Sequence, residues 1–68
     1  MDTAQVRRYL NQKVKYGLPT GEIREFILEG RILRKDRRTG DLKYFAELLD
    51  IKSNRSHLQV ALEDVRVN

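Results

Sequence analysis

The 68-residue chain has no cysteine, no tryptophan, one proline and one histidine. Without cysteine, no disulfide can brace it, and thiolate zinc and iron–sulfur sites are excluded. A lone histidine leaves no second nitrogen ligand for a metal. Neither a glycine-rich phosphate loop nor a nucleophile motif is present, so no metal or cofactor is expected. No apolar run approaches the roughly 20 residues that span a bilayer. The opening MDTAQVRRYLNQK also lacks the apolar middle of a signal peptide. These absences predict a cytoplasmic protein with no membrane partner. The length predicts one small α+β domain, 1–68, whose folding buries only about 60% of its unfolded surface. Its core must come from Leu, Ile, Val, Phe and Tyr, with help from a protein partner or a second copy as a common remedy at this size.

What the chain does have is positive charge, unevenly placed. The net charge is +4. In residues 1–16, Arg7, Arg8, Lys13 and Lys15 stand against Asp2 alone. In 17–29, Glu22, Glu25 and Glu29 outweigh Arg24. GRILRKDRRTGDLKYF, residues 30–45, carries six cations against Asp36 and Asp41. Two basic segments separated by an acidic one suit a polyanion better than an evenly spread charge does.

The apolar periodicity predicts a helix from Ala4 to Tyr16, with Val6, Tyr9, Leu10 and Val14 on one face and a capping box between Asp2 and Gln5. Gly17 and Pro19 mark its end. Thr20 then caps a second helix, with Ile23, Phe26 and Ile27 on its apolar face, Glu22, Glu25 and Glu29 on its wet face, and Gly30 as its stop. RILRKD and DLKYF flank turn residues Thr39-Gly40-Asp41 and predict a hairpin. HLQVAL alternates and predicts a third strand, after an SNRS turn and before a bulge near Glu63-Asp64 and the ending VRVN. A helical reading competes: Leu58, Ala61, Leu62 and Val65 also fit a 3.6-residue period, and FAELLD is rich in helix formers, which would make Phe45 to Val65 a helix pair. The expected fold is therefore α+β, two N-terminal helices packed on a three-stranded antiparallel sheet, with winged-helix-like and mainly α arrangements as alternatives.

The hairpin is the first candidate site. Arg34, Lys35, Arg37, Arg38 and Lys43 cluster around a turn, where long cations reach phosphates without being buried. Tyr44 and Phe45 fall on opposite strand faces, so one of them can stack on an unpaired base. Arg7 and Arg8, with Lys13, Lys15 and Tyr16, form a second basic patch on the first helix. His57 is the sole candidate general base, with Arg55 beside it to support a phosphate. Asp50 with Glu47, and Glu63 with Asp64, read as solvated acidic pairs rather than a magnesium site.

Two resemblances go with these motifs. YGLPTGEI, EFILEGRIL, DLKYFAELL and HLQVALED, spanning Val6 to Glu63, resemble small toxin-like domains of the RelE and BrnT type. That resemblance implies an RNA-directed basic surface and, in active members, metal-independent RNA cleavage. REFILEGRILRKDRRTGDLKYFAEL is similar to the helix-plus-wing segment of winged-helix DNA-binding proteins, and implies a wing at Lys35 to Asp41. The expected function is a small basic nucleic-acid-binding module, for RNA ahead of DNA. The alternatives are a winged-helix transcriptional regulator and a non-enzymatic protein-interaction module or homodimer. Enzyme activity is left open, with His57 and Arg55 as its only candidates.

Overall fold

Asp2 opens a short helix. Its carboxylate accepts the Gln5 backbone N–H at 3.0 Å, and the Gln5 side chain accepts the Asp2 N–H at 3.0 Å, the reciprocal box that the spacing predicts. The computed structural model describes residues 1–53 and 55–67. In it, this helix, α1, spans Thr3–Tyr9 and does not reach Tyr16. Asn11 adopts a left-handed φ of 63°, which asparagine tolerates better than most residues. Its N–H then donates to the Leu28 carbonyl at 2.7 Å, and Leu28 N–H donates to the Gln12 carbonyl at 3.0 Å. The chain is thereby turned out of the helix and stitched to a strand.

Among the described residues five strands follow: β1 (Lys13–Gly17), β2 (Ile23–Lys35), β3 (Leu42–Asp50), β4 (Ser56–Ala61) and β5 (Val65–Arg66), with a 3₁₀ turn at Leu62–Asp64 before β5. They form one sheet of order β4-β3-β2-β1-β5, antiparallel throughout. This replaces the expected two helices on a three-stranded sheet. It also excludes the mainly α and winged-helix-like alternatives, because residues 23–29 are strand where each of them requires helix. The predicted helix pair in Phe45 to Val65 is likewise replaced, by β3, β4 and the 3₁₀ turn.

The correction at β2 has a local cause. Ile23, Phe26 and Ile27 fit a helical stripe, but the inward row of the strand is Arg24, Phe26 and Leu28. Phe26 and Leu28 are fully buried, whereas Ile23 is 63% exposed. Arg24 belongs in this row because Asp50 meets it: one guanidinium nitrogen lies 3.0 and 2.9 Å from the two carboxylate oxygens. Asp50 is buried, and its Oδ1 also accepts the N–H groups of Lys52 and Ser53 at the next turn. It is a structural acceptor, not the solvated charge its sequence context suggests. GLPT, expected to join two helices, instead runs from the end of β1 into a hairpin loop. Gly21 N–H donates to the Leu18 carbonyl at 2.8 Å, Leu18 N–H donates to the Glu22 carbonyl at 2.7 Å, and Gly21 carries a φ of 94° that favours glycine.

The core lies between the inner sheet face and α1. Val6 from the helix packs with Val14, Phe26, Leu28, Ala46, Leu48, Leu62 and Val65, and Leu58 and Val60 pack against that cluster as the alternation of HLQVAL predicts. In place of a bulge at Glu63-Asp64, the chain makes the 3₁₀ turn. A bulge does occur in β2, where the register shifts between Leu28 and Gly30 and leaves Glu29 without a partner on β3.

β1 pairs with β2 only over Ile23 to Ile27, while β3 pairs with β2 out to Lys35. β4 leaves β3 at Phe45. The outer parts of β2 and β3, from Arg31 to Tyr44, therefore extend as a two-stranded arm. The expected hairpin is this arm. The SNRS turn includes Asn54, and the VRVN ending includes Asn68; both lie outside the described residues. Among the described residues, no helix is long and apolar enough to cross a membrane.

Candidate nucleic-acid interface

The tip of the arm is built by its own backbone and one carboxylate. Asp36 N–H donates to the Asp41 carbonyl at 2.8 Å, and Gly40 N–H donates to the Asp36 carbonyl at 2.7 Å. Asp36 Oδ1 accepts the Arg38 N–H at 2.9 Å, and Thr39 Oγ1 accepts the Asp41 N–H at 3.3 Å. Gly40 sits at a φ of 79°. This loop holds Arg37 and Arg38 in solvent, with Lys35 exposed at the end of β2. The Arg38 amide bond, with lesser help from Lys43 and Arg38 charge, holds the Asp36 carboxyl below its usual range.

Lys43 plays a different part from the one its sequence position suggests. Its ammonium lies 2.8 Å from a Glu63 carboxylate oxygen and 3.5 Å from one of Asp36. The Glu63 hydrogen bond, ahead of the acidic charges, raises its pKa. Lys43 thus ties the arm to the 3₁₀ turn with its charge already matched.

Arg31 and Arg34 place their guanidinium groups over aromatic rings. Tyr44 and Phe45 occupy opposite faces of β3, as alternation predicts, and each carries one guanidinium. Arg31 sits 4.8 Å from the Tyr44 ring centre on the core side. Arg34 sits 4.7 Å from the Phe45 ring centre on the other side, and donates to Gln59 Oε1 at 2.7 Å. In the ladder, Leu33 opposes Tyr44 and Ile32 opposes Phe45, so both stacks are diagonal pairs. Arg31 is the member that sequence reasoning missed. The turn at Thr39-Gly40 sets the pairing of Arg34 with Lys43, and counting back from it places each arginine diagonal to its ring.

The second basic patch is divided by the correction to α1. Lys13 and Lys15 fall on β1, opposite Ile27 and Glu25. Tyr16 turns to the core, where its ring meets Phe26 edge-on with centres 6.3 Å apart. Arg7 and Arg8 remain on α1, both exposed. Arg7 lines a cleft of about 430 Å³ with Leu10, Gly30 and Arg31. Helix and arm therefore meet at a pair of arginines, with no acidic residue among the lining side chains. On the opposite side of the arm, a cleft of about 490 Å³ beside Phe45 is lined by Arg38 and Lys43 but also by Asp36, Glu63 and Asp64.

His57 is not part of this surface. Its Nδ1 lies 2.7 Å from Glu29 Oε1, and its side chain is 69% exposed. It pairs across the sheet with Leu49. Leu49 is seven positions along β3 from Leu42, at the arm tip, or about 23 Å at strand rise. Arg55 stands just before β4, with a φ of 55°. His57 and Arg55 thus lie near one another in sequence but far from Arg37 and Arg38. Among the described residues, no group of three or more His, Asp or Glu side chains is placed to hold a metal.

Searched against protein-family models, curated proteins and solved structures, the chain gives no match.

Proposed function

We propose that this protein is a small nucleic-acid-binding module, with RNA as its preferred ligand, that grips the phosphate backbone with its basic arm. The observation that carries this reading is a contrast in pairing. Arg24 and Lys43 each meet carboxylates. Arg7, Arg8, Arg31, Arg34, Lys35, Arg37 and Arg38 form no ion pair among the described residues. Unmatched cations on one projecting element repel each other, and a polyanion relieves that repulsion by displacing counterions. Arg37 and Arg38 at the tip act as phosphate contacts, and Arg7 and Arg31 extend the surface to the root of the arm.

The test is reversal of the tip charge. Arg37→Glu with Arg38→Glu is expected to lower RNA affinity by at least about tenfold at low salt and to flatten the salt dependence by roughly one to two phosphate contacts. Folding should be untouched, because both side chains are in solvent. Unchanged affinity, or no binding by the native protein at low salt, sinks the reading.

A second reading rests on the sheet's outer strands. β4 and β5 stand at opposite ends of the order, each with a neighbour on one side only. Unpaired strand edges accept another strand, from a partner or a second copy. On this reading the protein is an interaction module. Equilibrium sedimentation discriminates: a monomer mass over the micromolar range removes self-pairing.

A further inference from the structure

From the arm's two guanidinium–aromatic stacks we infer that the ligand is an unpaired strand, whose bases stack on Arg31 over Tyr44 and on Arg34 over Phe45. This rests on the nucleic-acid reading and narrows it to single-stranded segments. Phosphate contact alone does not require planar groups, since a flexible ammonium serves as well. Here, however, two of the unmatched cations are planar guanidinium groups placed over aromatic rings, 4.8 and 4.7 Å from the ring centres, and both arginines are exposed. A base has a π-face of its own, so a flat cation backed by a ring offers both stacking and charge at one position.

The arrangement around the stacks fits a strand better than a duplex. Arg31 and Arg34 are three residues apart on β2, about 10 Å along the strand, and on opposite faces of the arm. β1 does not pair with this part of β2, so the edge between the two stacks has no neighbouring strand. A single strand can cross that edge and place bases on both sides. At the core-side stack, Arg7 lines the same cleft as Arg31, next to Leu10 and Gly30, which provides cationic charge for a phosphate beside an apolar surface. A two-stranded ribbon can also enter the major groove of a duplex, but reading base edges there needs arginines extended end-on. Arg34 is instead committed sideways, to the Phe45 ring and to Gln59 Oε1.

The experiment keeps charge constant and removes the plane. Fluorescence anisotropy would be recorded for the native protein, and for Arg31→Lys and Arg34→Lys separately and together, with oligo-uridylate, oligo-adenylate, oligo-thymidylate and a blunt duplex of matched charge. The inference expects each single strand to bind at least about tenfold more tightly than the duplex. It expects the double lysine variant to lose about tenfold on single strands while its salt slope stays as in the native protein. A uridylate–thymidylate comparison then separates RNA from DNA. If the duplex binds as tightly as the strands, or the lysine variants match the native protein on both, the stacking inference is overturned and the phosphate-binding reading stands. If no probe binds at low salt, both fall. Circular dichroism of the variants guards the comparison, since both arginines are exposed and neither change should alter the fold.

Discussion

Arg24 and Arg31 are both on β2, seven residues apart, and meet opposite fates. Arg24 lies where β2 pairs with β1, in the inward row with Phe26 and Leu28, and its charge is held by buried Asp50. Arg31 lies past the end of β1, where the strand has one neighbour, and its guanidinium rests on a tyrosine face with no carboxylate partner among the described residues. The same residue type is thus a structural rivet in the inner half and a presented cation in the outer half. What separates them is the side chain each one meets, the Asp50 carboxylate for Arg24 and the Tyr44 ring for Arg31. Apolar residues divide the same way: Phe26 and Leu28 are fully buried, but Ile32, Leu33 and Leu42 on the arm are 38%, 50% and 70% exposed.

Mutations can test whether the two halves are as different as they look. Phe26→Ala should have the largest effect, about 3–5 kcal/mol, which is most of the stability of a domain this size. Ile32→Ala on the arm should cost under about 1 kcal/mol. Urea unfolding followed by circular dichroism measures both, and equal costs would break the contrast. Asp50→Ala should come next, at about 3 kcal/mol, because it strands Arg24 and removes the acceptor of two turn amides. A loss below about 1 kcal/mol would show that Arg24, which is a quarter exposed, is rescued by water.

Acid tests the tip alone. The Asp36 pKa lies below its ordinary 3.8, chiefly through the Arg38 amide bond. Its contribution is thus complete above pH 3.8 and is lost as pH falls through the lowered pKa. The Arg38 amide shift should therefore titrate with a midpoint below 3.8; a midpoint at or above 3.8 would refute the clasp. Lys43 has the opposite sign: its pKa is raised above 10.5, so its tie to Glu63 holds up to pH 10.5 and loosens only beyond it. The smallest effect is expected at His57. RNA incubated with protein in EDTA should stay intact, and His57→Ala should leave RNA affinity within about twofold. Cleavage that disappears in His57→Ala would instead make this histidine catalytic.

The parts legible in the sequence were those set by nearby residues. The Asp2–Gln5 box, the Thr39-Gly40-Asp41 turn and the alternation of HLQVAL depend on neighbours within a few positions, and each is present. At β2 the sequence pattern misleads because the inward row of the strand begins with an arginine. That charge breaks the visible alternation and leaves Ile23, Phe26 and Ile27 looking like a helical stripe. Its explanation, Asp50, is 26 residues away. The helical pattern runs past the end of α1 because Val14 fits both a helix face and the inner side of β1, and only Asn11 marks the change. At the candidate site, the cations at the tip were readable as charge. The matching of Lys43 by Glu63, and the meeting of Arg7 with Arg31, depend on where β5 and α1 return to the sheet, which local pattern does not encode.

The unpartnered Glu29 in β2 has a consequence for which side of the arm is which. Side chains on a strand take turns, and one surplus residue swaps the turns for everything beyond it. Counted straight on from Phe26 and Leu28, the core side would next receive Gly30, Ile32 and Arg34. Because of Glu29 it receives Arg31 and Leu33, opposite Ala46 and Tyr44. That one inserted position therefore acts as a parity bit. Deleting Glu29 would make Gly30 follow Leu28 directly and so keep Arg31 opposite Ala46, on the side of Arg7 and α1; pairing Glu29 itself with Glu47 in an unbulged ladder would instead send Arg31 to the side of Gln59.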